Sequence, residues 1–121
     1  MPLPGNPRGF QLEDLQGHYV EYSKDQNGSR FLQKELEVAD TDLIHLVFVE
    51  VVPVVSDLVI DVYGNYVIQK IFDFGTEEHK IVLASKLLDD IVPLSLHLYG
   101  CRVIQKALET LPSYIQVGIA S

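Results

Sequence analysis

The stretch YGNYVIQK, residues 63–70, is one of three versions of the same phrase in a chain of 121 residues. Counted from its glycine, the phrase is GSRFLQK at 28–34, GNYVIQK at 64–70 and GCRVIQK at 100–106, so that successive copies are 36 residues apart. A period of roughly 20 to 50 residues is typical of a solenoid, in which similar units stack side by side. Three such units occupy nearly the whole chain, which leaves room for one domain and excludes a multidomain enzyme.

The spacing of apolar residues within the phrase predicts an α-helix. We number the residue after the glycine as position 0; positions +2, +3 and +7 are apolar in every copy, and at about 100° per residue they share one arc of a helix. The apolar residues are Phe31, Leu32, Leu36, Val67, Ile68, Phe72, Val103, Ile104 and Leu108. Positions 0, +1, +4 and +5 are mostly polar and occupy the opposite arc. We therefore expect one face of each helix to pack and the other to face outward.

Further short helices are predicted between the phrases. The segments 40–42 (DTD) and 76–78 (TEE) each offer a capping side chain followed by acids, which is typical of a helix start. Pro53 and Pro93 are expected to interrupt the helices that follow. Residues 47–62 are rich in β-branched side chains, but we predict helix there because propensity is a weak indicator inside a helical repeat. The predicted fold is an all-α solenoid of units with two or three helices.

The repeat also predicts the domain organisation. We expect a flexible segment at 1–10 and one repeat domain at 11–121, with units at about 11–38, 39–75 and 76–111 and the start of a further helix at 112–121. Residues 12–24 are expected to supply the helix before the first phrase. Residues 1–10 contain three prolines and no apolar stretch, so no signal peptide is predicted. The most apolar region, 43–62, is interrupted by charged residues and proline, so we expect no membrane span and a cytoplasmic location.

Charge is distributed unevenly along the chain. Nine basic and 17 acidic residues give a net charge of −8, the wrong sign for holding nucleic acid by bulk attraction. Five of the nine basic residues nevertheless lie in the windows 29–34, 65–70 and 101–106, which contain no acid. The lysines at position +5 are Lys34, Lys70 and Lys106, and two roles are open for them. They either contact phosphates or pair with the acids three residues later in the same helix, Glu37, Asp73 and Glu109.

The outward positions carry the candidate binding residues. Position 0 is Ser29, Asn65 or Cys101, and position +4 is always a glutamine: Gln33, Gln69 or Gln105. Side chains four residues apart lie near each other on a helix, so each pair offers donors and acceptors to a flat hydrogen-bonding object. Position +1 is Arg30, Tyr66 or Arg102, whose planar groups could stack on such an object. The alternatives are that the glutamines are ordinary solvated residues and that Tyr66 packs between units.

In the phrases NGSRFLQ, YGNYVIQK and YGCRVIQKALE, and in the 36-residue period, the chain resembles the Pumilio, or PUF, family of RNA-binding proteins from residue 17 to residue 111. The resemblance implies that each unit binds one base of single-stranded RNA. The implied adenine sites are Ser29, Arg30 and Gln33, and Cys101, Arg102 and Gln105; the implied uracil site is Asn65, Tyr66 and Gln69. Members of the family bind their RNA antiparallel to the protein chain, so the implied RNA element is 5′-A-U-A-3′. The resemblance also implies that this element lies in the 3′ untranslated region of an mRNA and that the protein regulates translation. Family domains typically have eight repeats, so three imply a truncated array and weak binding.

Other functions have less support in the sequence. One cysteine, Cys101, and four scattered histidines, His18, His45, His79 and His97, provide no metal-ligand spacing and no catalytic constellation. We therefore expect no cofactor, no metal and no enzyme activity, with the histidines at the surface or in grooves. The glycine before each phrase is expected to allow a sharp entry into the helix.

The open alternatives are a protein-interaction scaffold that uses the convex or acidic face and a repeat fragment that does not bind RNA. Self-association through the ends of the array is also expected.

Overall fold

The structure is a computed structural model that describes residues 11–111. These residues form eight α-helices and two 3₁₀ turns, with no strand among them. The helices are α1 (Tyr19–Ser23), α2 (Gln26–Val38), α3 (Thr41–Val51), α4 (Val55–Val59), α5 (Gly64–Phe74), α6 (Glu77–Leu88), α7 (Ile91–Leu96) and α8 (Gly100–Thr110). The flexible segment predicted at 1–10 and the further helix predicted at 112–121 lie outside the described residues.

The helices recur in a fixed order of three kinds. We call α1, α4 and α7 the short helices, α2, α5 and α8 the inner helices, and α3 and α6 the outer helices. Each inner helix carries one copy of the phrase, and α5 packs against α2 on one side and against α8 on the other. The prediction of an all-α solenoid is confirmed. The β-branched run that begins at residue 47 is α-helical or 3₁₀ as far as residue 59, and its valines Val47, Val51, Val55 and Val59 are buried in the core.

The helix boundaries follow the local sequence signals. The Asp40 carboxylate accepts the Leu43 N–H at 2.9 Å at the start of α3, and the Thr76 hydroxyl accepts the His79 N–H at 3.1 Å at the start of α6. Pro53 lies in the 3₁₀ turn Val52–Val54 between α3 and α4. Pro93 lies in the first turn of α7. Backbone N–H groups in a first turn make no hydrogen bond within the helix, so proline costs no hydrogen bond there.

The region before the first phrase differs from the single helix predicted there. It consists of the 3₁₀ turn Leu12–Leu15 and α1, separated by Gly17, whose φ of 90° is incompatible with a continuous helix. Glu50 of α3 holds this region, because its carboxylate accepts the N–H groups of Gly17 at 2.6 Å and Tyr19 at 3.2 Å. Burial, together with the nearby Glu50 carboxylate, raises the pKa of Tyr19 to about 12.

The glycine of each phrase has a different role from the one predicted. Among the described glycines only Gly17 has a positive φ, so the phrase glycines are not needed for an unusual backbone conformation. They are needed because the preceding short helix passes very close. A Cβ at Gly28 would lie 2.5 Å from the Tyr22 carbonyl oxygen, and a Cβ at Gly100 would lie 2.5 Å from the Leu94 carbonyl oxygen. Glycine therefore sets how closely the short and inner helices approach.

Candidate nucleic-acid interface

Each of the first two inner helices holds its glutamine in a defined orientation. Gln33 Nε2 donates to Ser29 Oγ at 3.0 Å, and Gln69 Nε2 donates to Asn65 Oδ1 at 3.1 Å. The pairing of positions 0 and +4 on one helix face is therefore present in α2 and α5. In both pairs one N–H of the amide is engaged, which leaves the second N–H and the oxygen to face the solvent.

Position 0 is buried in the first two units, contrary to the expectation that it faces outward. Ser29 is 1% exposed and Asn65 0% exposed. The Ser29 hydroxyl donates to the Tyr63 carbonyl oxygen of the next unit at 3.0 Å, whereas the Asn65 amide donates to the Asp61 carbonyl oxygen at 2.8 Å. Cys101, at the same position in the third unit, is exposed. Helical periodicity places position 0 on the polar arc but does not show that the neighbouring unit covers it.

Two open grooves run between the inner helices on the side that carries the glutamines. The first has a volume of about 350 Å³ and the second about 260 Å³. The first is lined by Gln26, Ser29, Arg30, Gln33, Val62, Tyr63, Tyr66 and Tyr99. The second is lined by Gln69, Arg102, Gln105, Lys106 and Glu109. The predicted stacking residue Tyr66 lines the first groove and is 40% exposed. Two of the position 0 residues, Asn65 and Cys101, line neither groove.

Sequence reasoning missed the tyrosines of the first groove. Tyr63 and Tyr99 each stand immediately before a phrase glycine and line this groove together with Tyr66. The signal was present in the sequence, since YG precedes both the second and the third phrase. Repetition of an aromatic residue next to an inner helix indicates a surface that can hold a planar group.

The start of each inner helix is also capped by a side chain that the sequence analysis did not single out. Asp25 accepts the Gly28 N–H at 2.8 Å, and Asp61 accepts the Gly64 N–H at 2.8 Å. In the third unit His97 Nδ1 takes this place and accepts the N–H groups of Tyr99 at 3.0 Å and Gly100 at 3.3 Å. The three caps share one register, three residues before each phrase glycine. They fix the direction in which each inner helix leaves its loop.

Two of the three position +5 lysines form ion pairs with acids of a neighbouring unit. Lys70 pairs with Glu37, and Lys106 Nζ lies 3.0 Å from Asp73 Oδ1. The predicted pairing partners, three residues later in the same helix, are therefore wrong: in each pair the acid belongs to the preceding unit. Among residues 11–111, Arg30, Lys34 and Arg102 have no carboxylate partner. These three side chains are the free cations on the inner helices.

The histidines outside the grooves form a separate feature. His79 is only 5% exposed, so the expectation of a surface or groove position is wrong for it. Its ring stacks on His45 with centroids 5.2 Å apart and contacts Phe48 with centroids 4.4 Å apart. Burial, and secondarily the charge of His45, lowers the pKa of His79. This cluster joins α3 to α6 and lines neither groove.

The described part of the chain offers neither a cluster of metal ligands nor a helix that could cross a membrane. Within residues 11–111, no three His, Cys, Asp or Glu side chains are grouped so that they could hold a metal ion. None of the helices in this range combines the length and apolar character that a membrane crossing requires.

The chain matches known proteins over most of its length. The model of the Pumilio-family RNA binding repeat matches residues 18–52, 55–88 and 90–115. Pumilio homolog 1 of Xenopus laevis is 50% identical over 108 residues, covering 89% of this chain and 9% of that protein. The mRNA-binding protein puf3 of Schizosaccharomyces pombe is 43% identical over 81 residues, covering 66% of this chain and 11% of that protein. The chain thus spans about a tenth of these relatives.

Solved structures agree with the sequence matches. A Puf3 RNA binding domain bound to a Cox17 RNA 3′ UTR recognition sequence superposes with a TM-score of 0.91 at 40% identity, covering 97% of this chain and 33% of that one. PUF-8 in complex with PBE-RNA superposes with a TM-score of 0.88 at 38% identity, covering 97% of this chain and 34% of that one. The repeat, the inner-helix geometry and these matches agree, and the chain belongs to the Pumilio family of RNA-binding repeat proteins.

Proposed function

We propose that this chain binds single-stranded RNA with one base per unit and prefers 5′-A-U-A-3′, read antiparallel to the protein. The observation that carries the proposal is the first groove, which is lined by the Gln33 amide together with two planar side chains, Arg30 and Tyr66. The second groove is lined by two glutamine amides, Gln69 and Gln105, together with one planar side chain, Arg102. A flat base fits such a slot with its faces against the planar groups and its edge toward an amide.

The chemistry of the glutamines suits adenine and uracil. An amide with a free oxygen and one free N–H presents an acceptor beside a donor. The Watson–Crick edges of adenine and uracil each present an adjacent donor and acceptor, so each can form two hydrogen bonds with it. We assign adenine to Ser29, Arg30 and Gln33, uracil to Asn65, Tyr66 and Gln69, and adenine to Cys101, Arg102 and Gln105.

Electrostatics contributes locally. Arg30, Lys34 and Arg102 are free to approach phosphates, whereas Lys70 and Lys106 are neutralised by acids of the preceding unit. Stacking is worth about 1–3 kcal/mol per base, so three bases give weak binding once the cost of association is deducted. Relatives bound to 3′ UTR sequences support a target in the 3′ untranslated region of mRNA, and hence a role in post-transcriptional regulation in the cytoplasm.

The test is a fluorescence anisotropy titration with short RNAs that differ only at the central base of AUA. We expect replacement of the central uracil to weaken binding about tenfold. Repeating the titration at two salt concentrations separates base recognition from charge, because only the phosphate contribution depends strongly on salt. Equal binding of all four RNAs at both salt concentrations would contradict direct base recognition.

A second candidate function is a protein-binding scaffold. It is favoured by the outer helices, which carry both exposed apolar side chains, Val49 at 50% and Val82 at 36% exposure, and the exposed acids Asp42 and Glu78. A partner that still binds after Gln33, Gln69 and Gln105 are all changed to alanine would support this role, and loss of the partner in that variant would assign it to the RNA face.

A further inference from the structure

The two ends of the described inner-helix row expose matching halves of one interface. At position +7, Leu36 of α2 and Phe72 of α5, helices that each have a following inner helix packed against them, are 0% exposed, whereas Leu108 of α8 is half-buried. At position +2, Val67 of α5 and Val103 of α8, helices that each pack against a preceding inner helix, are 0% exposed, whereas Phe31 of α2 is half-buried. The apolar contacts made at both internal junctions are therefore left incomplete at α8 and α2.

The charges at the two ends match in the same way. Each internal junction has one ion pair, from the position +8 acid of one unit to the position +5 lysine of the next: Glu37 with Lys70, and Asp73 with Lys106. Continuing this series leaves Lys34 of α2 and Glu109 of α8, both exposed and both without an ion-pair partner among residues 11–111. One end thus has the free lysine and the other the free acid of the same pair.

We propose that copies of this chain associate head to tail, with α8 of one copy packed against α2 of the next. Glu109 would pair with Lys34 of the partner copy, as the corresponding acid and lysine do at both junctions within the chain. The same packing would bring Leu108 and Phe31 of the partner copy into the contact. The proposed contact continues an interface that the chain already uses twice. Because it joins two different surfaces, the assembly is open and grows beyond a dimer as concentration rises.

Association of this kind would also complete the third base site, a consequence that rests on the RNA-binding function proposed above. Within the chain, Tyr66 closes the groove beside Gln33, and Arg102 closes the groove beside Gln69. No described residue plays this part beyond Gln105. In the head-to-tail assembly Arg30 of the partner copy would do so, and its inner helix would cover Cys101 as Ser29 and Asn65 are covered within the chain.

The test is sedimentation velocity over a range of protein concentrations without RNA, so that failure of association and failure of RNA binding are separate results. The variants are Lys34→Glu, Glu109→Lys and the chain that carries both changes. Each single variant places like charges at the contact and is expected to weaken association about fivefold. The double variant restores opposite charges and should associate as the unchanged protein does.

The matched controls are Lys86→Glu and Glu77→Lys, which alter the net charge equally at exposed residues of the outer helix α6 and not of α2 or α8. They should associate as the unchanged protein does. The proposal is overturned if the unchanged protein stays monomeric at all concentrations, if the controls weaken association as much as the single variants, or if the double variant does not recover. Circular dichroism of every variant confirms that the exposed substitutions leave the helices folded.

Discussion

Lys106 Nζ lies 3.0 Å from Asp73 Oδ1, so this ion pair joins two neighbouring units and does not link successive turns of one helix. Its lysine is thereby neutralised where it faces the proposed RNA surface, whereas Arg102 on the same helix has no such partner. We predict that Arg102→Ala lowers the slope of log K against log salt by about one and that Lys106→Ala leaves it nearly unchanged. RNA titrations at four or more salt concentrations measure both slopes. A slope lowered equally in both variants would show that Lys106 also contacts phosphate, and a slope unchanged in both would show that Arg102 does not.

Base preference at the middle unit should change when its glutamine becomes a carboxylate. Guanine presents two adjacent N–H donors on its Watson–Crick edge, and a carboxylate accepts both, whereas it repels the carbonyl oxygens of uracil. We predict that Asn65→Ser with Gln69→Glu moves the preferred central base from uracil to guanine. Competition between AUA and AGA RNAs measures the shift. A change in binding that is equal for all four central bases would mean that this unit does not contact the base edge.

The close approach at Gly100 predicts a large effect from one methyl group. A Cβ there would lie 2.5 Å from the Leu94 carbonyl oxygen, so α7 and α8 would have to separate. We expect Gly100→Ala to lower the free energy of unfolding by about 1–3 kcal/mol, as overpacking does elsewhere. Urea unfolding measures the change, with Ser85→Ala on the exposed side of α6 as the control, expected within about 0.5 kcal/mol. An unchanged midpoint for Gly100→Ala would show that the two helices can move apart at little cost.

Burial of His79 makes stability depend on pH. Its Nδ1 accepts the Thr76 N–H at 3.3 Å, so the neutral ring carries its proton on Nε2, which lies 3.0 Å from His45 Nδ1. The pKa of His79 is lowered in the folded chain, whereas the pKa of a histidine in an unfolded chain is about 6.5. Between these two values the unfolded state binds more protons than the folded state, so acid favours unfolding. The stabilisation is complete above about pH 6.5 and is lost as the pH falls through the folded pKa.

His79→Gln tests this dependence. Glutamine at the third position of a helix can still bond the backbone N–H of the capping residue, but it does not titrate. We expect the variant to lose less stability than the unchanged protein between pH 7.5 and pH 5.5, as measured by thermal unfolding at both values. Parallel losses in the two proteins would assign the acid sensitivity to other groups.

The 36-residue period and the apolar positions predicted the solenoid correctly, because both follow from local helix geometry. What the sequence did not predict depends on contacts between separate helices. Burial of Ser29 and Asn65, the pairing of Lys70 with Glu37 and the proximity of Gly100 to Leu94 each join segments that a helical wheel treats separately. His79 was misplaced for the same reason, since its burial comes from packing with α3. A wheel assigns a residue to a face of its own helix but does not show which neighbour covers that face.

Tyr66 offers the sharpest test of stacking, because it lines the first groove while 40% of its surface is exposed. Removing its ring leaves the Gln33 and Gln69 amides in place, so any loss of affinity reports on the face of the base and not on its edge. We predict that Tyr66→Ala weakens RNA binding by about 1–3 kcal/mol, or roughly 5- to 150-fold. Tyr66→Phe keeps the ring and should bind within about twofold of the unchanged protein. If the alanine variant instead loses stability without losing affinity, Tyr66 packs between units, which is the alternative that the sequence left open.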